Sequence, residues 1–142
     1  MVPLENSPTD AAILAHVALL ARHCGAGIVL IHVADGFAAR NIAHLDLRES
    51  EEIRKDRAYL DDAAARLAAA GFQVEAVLAS GDPATEITAA ALRERCDLIA
   101  MGTHGHRLLK DFIYGSVANE VRHRSLVPVL MVRSGAGGST AG

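Results

Sequence analysis

The chain contains no tryptophan, three phenylalanines and two tyrosines, so aromatic residues are only 4% of its 142 residues while apolar residues are 51%. Its core must therefore be aliphatic, built of Ala, Val, Leu and Ile, which suits helices laid on a parallel sheet. Cysteine is scarce too. Cys24 and Cys96 stand near the ends of two predicted helices with no CxxC spacing and no signal peptide ahead of them, so both read as reduced thiols of a cytoplasmic protein rather than as a disulfide framework. No apolar run approaches the roughly 18 residues that a membrane span needs. The formal charge of −3 gives no general electrostatic drive toward nucleic acid or an anionic membrane.

What is present is a repeating alternation of strand and helix signals. Met1 to Glu5 reads as the tail of a buried strand whose beginning is missing, since a central strand has about 5–6 residues. Ser7-Pro8-Thr9-Asp10 gives an N-cap, a proline at the first helical position and an acid three residues after the cap. Ile13, Val17, Leu20 and Cys24 line one face of the helix that follows, which Gly25 and Gly27 end. Ile28 to Val33 is an apolar run of a strand covered on both faces. A connection through Leu47 leads to a helix from about Arg48 to Ala70, with Ile53, Leu60, Ala64 and Leu67 as its buried stripe and Gly71 as its C′ residue. Phe72 to Ala79 alternates as an edge strand does. Asp82-Pro83 caps a helix whose stripe is Ile87, Ala90, Ala91 and the stem of Arg95.

Asp97 to Met101 is a fourth strand, Ser116 to His123 a short helix with Val117 and Val121 inward, and Val127 to Val132 a fifth strand, in which Pro128 points to an edge position. Such a succession specifies an open parallel α/β sheet with right-handed crossovers. Residues 1–133 form one domain, and 134–142, rich in Gly and Ser, reads as a disordered tail.

The fourth strand empties into Gly102-Thr103-His104-Gly105, and nine residues later comes Gly115-Ser116. Glycines let the backbone turn and approach a ligand, and a helix start presents unpaired N–H groups that favour negative charge, so the stretch has the layout of an anion cradle. In open α/β sheets, ligands lie outside the carboxyl ends of the strands, where this stretch falls. No GxGxxG follows the first strand and no GxxxxGK[ST] occurs, which excludes a dinucleotide fingerprint and a Walker loop.

Gly102-x2-Gly105-x9-Gly115-Ser116-Val117, with Leu98-Ile-Ala-Met101 before it and Val127-Pro-Val-Leu-Met-Val132 after it, resembles the universal stress protein family, specifically its ATP-binding branch. Val2 to Ser7 and Leu30 to Val33 extend the resemblance over roughly residues 1–133. It implies a Rossmann-like five-stranded parallel sheet in order 3-2-1-4-5 with helices on both faces. It implies a homodimer through strand five, Val127–Val132, and ATP, with Mg²⁺, across the carboxyl ends of strands one and four. Carried over by position, Pro3 and Glu5 belong to the nucleotide-binding set. Val33 contacts adenine through its backbone, Met101 and Gly102 line the floor, and Gly105, His106 and Arg107 approach the phosphates. Gly115, Ser116 and Val117 bind phosphate oxygens. Glu5 and Asn6 stand where the family usually has Asp and commonly Gly, a departure at the adenine and ribose side.

Other readings of these residues are blander. His104 and His106 lack the Cys or carboxylate partners of a metal site. Arg107 and Lys110 divide between a wet loop face and a phosphate contact. Asp111 either holds a divalent ion indirectly or pairs with a neighbour, and His32 is a core or site-edge histidine. Ser116 has no His-acid pair at a readable distance, so nucleophilic catalysis has no support. The expectation is an ATP-binding stress-response regulator, a nucleotide-dependent dimeric switch with at most slow hydrolysis, read by a protein partner. The alternative is a nucleotide-free dimeric interaction module, and cyclic AMP stays open as the ligand.

Overall fold

A computed structural model describes residues 1–35, 46–104 and 112–134. Five strands alternate with four helices: β1 (Val2–Pro3), α1 (Asp10–Cys24), β2 (Ile28–Asp35), α2 (Asp46–Ala69), β3 (Val74–Gly81), α3 (Pro83–Arg93), β4 (Ile99–His104), α4 (Phe112–Arg124) and β5 (Val129–Ser134). All strand pairs are parallel.

The alternating strand residues divide two cores between them. Val2, Leu4, Leu30 and Ala100 face α1 and α2, where they meet Ile13, Val17, Leu60 and Ala63. Met1, Ile31, Ile99 and Met101 face α3 and α4, where they meet Ala84, Ile87, Ala91 and Val121. Period-2 alternation sends neighbours to opposite faces, and β2, apolar at both, has Leu30 and Ile31 fully buried. Burial of each such side chain contributes about 1.5–3 kcal/mol. Helices on both faces of parallel strands make the architecture α/β and Rossmann-like.

The sheet itself departs from the expectation. The strands form a three-stranded sheet, β1-β2-β3, and a two-stranded one, β4-β5, rather than one five-stranded sheet. The cause lies in β1. Its residues alternate in direction: Met1 hydrogen-bonds toward β4, the amino terminus donating to the Leu98 carbonyl at 2.7 Å and the Met1 carbonyl accepting from Ala100 N–H at 2.9 Å. Leu4 N–H turns the other way, to the Ile31 carbonyl of β2 at 2.8 Å. The next group due to face β4 is Pro3 N, which has no hydrogen to give. The ladder toward β4 stops there, and β1 counts as a strand only with β2, in the register Val2 to Leu30 and Pro3 to Ile31.

Several boundaries also move. Helix α1 starts at Asp10 rather than after Ser7, with Thr9 at the N-cap and no side-chain cap, because Ser7 to Asp10 first closes a turn through Asp10 N–H to the Ser7 carbonyl at 3.1 Å. Ile53 of α2 is exposed; Leu60, Ala63 and Leu67 carry the buried stripe. Arg95 lies beyond α3, exposed and at φ 53°, in the left-handed region that glycine usually fills at a helix end. Pro128 stands just before β5, where its carbonyl accepts from Ile99 N–H. Ser134 closes β5 instead of opening the tail, and 135–142 lie outside the described residues.

Candidate functional site

Strand register brings the expected site residues from three strands to one edge. Continuing the β1–β2 register past Pro3 sets Glu5 level with Val33, and Met1, flanked by Leu98 and Ala100, sets Pro3 level with Met101. Met101 is buried against the α3 and α4 side, and Gly102 pairs in register with Val132 of β5.

Gly102 is not the turn that the sequence suggested. Strand β4 continues through it to His104, and its φ is not positive. A Cβ built there meets no atom of the described residues within 4 Å. The missing side chain leaves open space at the edge of β4, the kind of close backbone approach that glycine permits.

Helix α4 also starts earlier than expected, at Phe112, so Gly115 and Ser116 lie at the end of its first turn and not ahead of it. The N–H groups from Phe112 to Tyr114 have no acceptor inside the helix, whereas the Gly115 N–H makes the first intrahelical bond. In a regular helix Ser116 N–H points to the Phe112 carbonyl. Ser116 is exposed, Val117 half-buried, and Ala118 and Val121 are buried. Gly105, His106 and Arg107, with Lys110 and Asp111, lie outside the described residues. Among the described residues, no group of three or more His, Cys, Asp or Glu could hold a metal ion, and no helix is long and apolar enough to cross a membrane.

The turn after β1 is held by residues whose role the sequence did not reveal. Asp10 is the buried charged residue among those described, only 3% exposed. Its two carboxylate oxygens accept from Glu5 N–H, each at 3.2 Å, and one of them also accepts from Ser7 N–H at 3.2 Å and from the Tyr59 hydroxyl. Between the two backbone donors, Asn6 sits at φ 57°. Burial, reinforced by the Asp10 hydrogen bond, pushes the Tyr59 phenol well above its ordinary pKa. One residue earlier, the Leu4 carbonyl accepts from His32 Nδ1–H at 2.8 Å, and His32 Nε2 lies 3.3 Å from Asp56 Oδ2, an ion pair when the ring carries both protons. Asp10 was legible only as a helix-start acid, and its reach back to Ser7 is the acid arm of a capping box. Tyr59, beside Leu60 on the buried stripe of α2, gave no sequence signal of its partner.

At the opposite end of β2 and β3, a cleft of about 350 Å³ opens between Arg22, Gly25, Gly71 and Gln73. The Arg22 guanidinium stacks over the Phe72 ring there, 5.4 Å from its centre.

Parallel strands with helices on both faces define a Rossmann-like α/β protein. The model of the universal stress protein family matches residues 1–133, and the chain belongs to that family. Universal stress protein YxiE of Bacillus subtilis is 29% identical over 143 aligned positions, covering 94% of this chain and 97% of the relative. The solved structure of MJ0577 from Methanocaldococcus jannaschii has a TM-score of 0.79 and 27% identity over 96% of both chains. A universal stress protein solved in complex with cAMP has a TM-score of 0.72 and 21% identity, over 94% of this chain and 95% of that one.

Proposed function

We propose that this protein is a stress-response regulator that binds an adenine nucleotide, ATP with Mg²⁺ as its expected form, at the carboxyl edge of β1, β2 and β4. The observation that carries the reading is the seam between the sheets. Chain order runs outward from β1 through β2 to β3 in one sheet, then returns to β4 of the other, which Met1 joins to β1 on the side away from β2. Ligands of open α/β folds sit at such a reversal. Here Gly102 leaves the seam's edge open, and the cAMP complex of a protein of this fold favours an adenine ligand. Pro3, Glu5, Val33 and Met101 belong to the adenine and ribose side. Gly105, His106, Arg107, Gly115, Ser116 and Val117 belong to the phosphate side, with Mg²⁺ supplying charge neutralisation.

The sequence places no His-acid pair at a readable distance from Ser116, and the expected turnover is at leakage level. Strand β5 lies at the end of its sheet, with Leu126, Leu130 and Met131 exposed beside it. Pairing with a second copy would cover that edge and those side chains, which supports a homodimer whose loop 103–114 and shared surface respond to the nucleotide. The whole domain, 1–133, is then one switch unit acting in the cytoplasm on a protein partner.

The test is a thermal melt with and without Mg-ATP. A ligand that binds only the folded state adds about 2.7 kcal/mol at one hundred times its Kd. A melt unmoved by saturating Mg-ATP, ADP, AMP and cAMP overturns the nucleotide reading and favours the interaction module. Mass spectrometry of what co-purifies with the protein identifies which nucleotide it holds.

A further inference from the structure

Helix α2 lies away from the carboxyl edge of β4, yet two of its side chains, one turn apart, end on the turn that follows β1. Tyr59 donates to the Asp10 carboxylate, which in turn holds the N–H groups of Glu5 and Ser7. Asp56 faces His32 Nε2, whose Nδ1–H holds the Leu4 carbonyl. Backbone groups of Leu4, Glu5 and Ser7 are thus held by side chains of α1 and β2, and both sets are braced by α2. The backbone between them passes through Asn6 at φ 57°, in the left-handed region that Asn tolerates better than most non-glycine residues.

We infer that Tyr59 and Asp56 are positioning residues: acting through Asp10 and His32, they make the seating of α2 set the shape of the Leu4–Ser7 turn and thereby the ligand affinity of the site. The second half of this inference rests on the nucleotide reading above; the first does not. Each strut has a physical reason to transmit motion rather than absorb it. Asp10 is buried, and a buried carboxylate that loses a donor has no water to replace it. When the His32 ring carries both protons it is tied at both nitrogens, so a shift of Asp56 turns the ring against the Leu4 carbonyl. A displacement of α2 therefore reaches the turn through rigid groups, whereas a solvated contact would relax. The segment leading into α2, residues 36–45, joins it to the carboxyl end of β2, so whatever engages that end of α2 has a mechanical route to the site.

The experiment compares the full chain with Tyr59→Phe, Asp56→Asn and the double variant, using Glu52→Gln, an exposed change on the same helix, as the control. Far-UV circular dichroism establishes that each is folded. Two readouts follow: amide hydrogen exchange and chemical shifts of Glu5, Asn6 and Ser7 without ligand, and Kd for Mg-ATP by calorimetry. The expected result is faster exchange at Glu5 and Ser7 in Tyr59→Phe, a shift at Glu5 in Asp56→Asn, and Kd raised about fivefold or more in each, with Glu52→Gln unchanged on both. Should Tyr59→Phe fail to fold, Asp56→Asn, further from the buried carboxylate, decides alone. Unaltered amides at Glu5 and Ser7 in folded variants overturn the strut. Altered amides with an unchanged Kd overturn its control of the site. A wild-type chain that binds no nucleotide removes the nucleotide reading and the affinity clause with it, while the amide readout still decides whether α2 shapes the turn.

Discussion

Replacing Gly102 by valine separates the site's location from the fold's needs. Gly102 lies inside β4, its φ is not positive, and a Cβ there meets no described residue within 4 Å. Neither strain nor a clash therefore opposes a side chain in the unliganded protein. Giving up glycine at such a position stabilises by about 0.4–1 kcal/mol through the unfolded chain, and a β-branched residue suits a strand. A ligand occupying that open space, by contrast, collides with the new methyl groups. A tenfold loss of affinity, about 1.4 kcal/mol, cuts the stabilisation by Mg-ATP at one hundred times the wild-type Kd from about 2.7 to about 1.4 kcal/mol.

The order of stabilities should then reverse. Gly102→Val is the more stable protein in urea titrations without nucleotide and the less stable with it, and Gly102→Ala shows the same trend more weakly. If Gly102→Val binds Mg-ATP as tightly as the wild type, the nucleotide does not lie against Gly102, and the placement of the site at the β1–β4 seam fails. A loss of more than about 1 kcal/mol without nucleotide refutes the open space itself.

Four further outcomes follow from the same geometry. Arg95→Gly removes a left-handed non-glycine residue at the end of α3; relief of about 1–2 kcal/mol less the flexibility of glycine leaves about 0.5–1 kcal/mol of added stability, read in urea. Asp82 caps α3 through Thr85 N–H at 2.9 Å and the Thr85 hydroxyl at 2.5 Å, so Asp82→Ala should cost about 1 kcal/mol. The Thr85 hydroxyl, then its N–H, hold the Asp82 carboxyl below its ordinary pKa; its contribution is therefore complete above the ordinary value and lost as pH falls through the lowered one, a decline that Asp82→Ala should lack in acid melts. The raised Tyr59 pKa works in the other direction: its stabilisation is present below the ordinary tyrosine value and lost as pH rises, and Asp10→Asn should bring the phenol's ultraviolet titration toward normal. Met131→Arg, placing charge on the exposed edge beside β5, should leave the melt within about 0.5 kcal/mol of wild type and give a monomer in sedimentation; an unchanged dimer removes β5 from the interface.

Readability from sequence followed the range of the interactions involved. Element type was legible throughout, because Ile28 to Val33 or the stripe Leu60 and Leu67 is written in local periodicity. The α/β class followed from element order alone, whereas the candidate site residues came from the family resemblance. Boundaries slipped where two local signals competed. Ser7-Pro8 has the chemistry of a helix start, but the turn it makes postpones the helix to Asp10. Gly102 has the chemistry of a turn, yet its ladder with Val132 keeps it extended. The braces on the Leu4–Ser7 turn were out of reach, since Tyr59 and Asp10 are 49 positions apart and His32 and Leu4 are 28 apart.

Pro3 links the strand pairing of β1 to the edge proposed as the site. It follows Met1, the residue that hydrogen-bonds β4, and it denies the seam its next bond for lack of an N–H. A residue with an N–H at this position could continue the ladder and draw β1 and β4 together along their length. The seam would then be closed by backbone at the level of Met101, where register places Pro3. With proline there, the strands are tied at their amino side by Met1 and released toward their carboxyl side, the side on which Glu5, Val33 and Gly102 gather. The turn beyond Pro3 consequently loses the support that a continuous sheet supplies, and it is braced instead from behind by Asp10, His32, Asp56 and Tyr59. The gap that Pro3 leaves in the bonding toward β4 and the buried polar network are two halves of one arrangement: the first leaves the turn without support from β4, and the second holds that turn in shape.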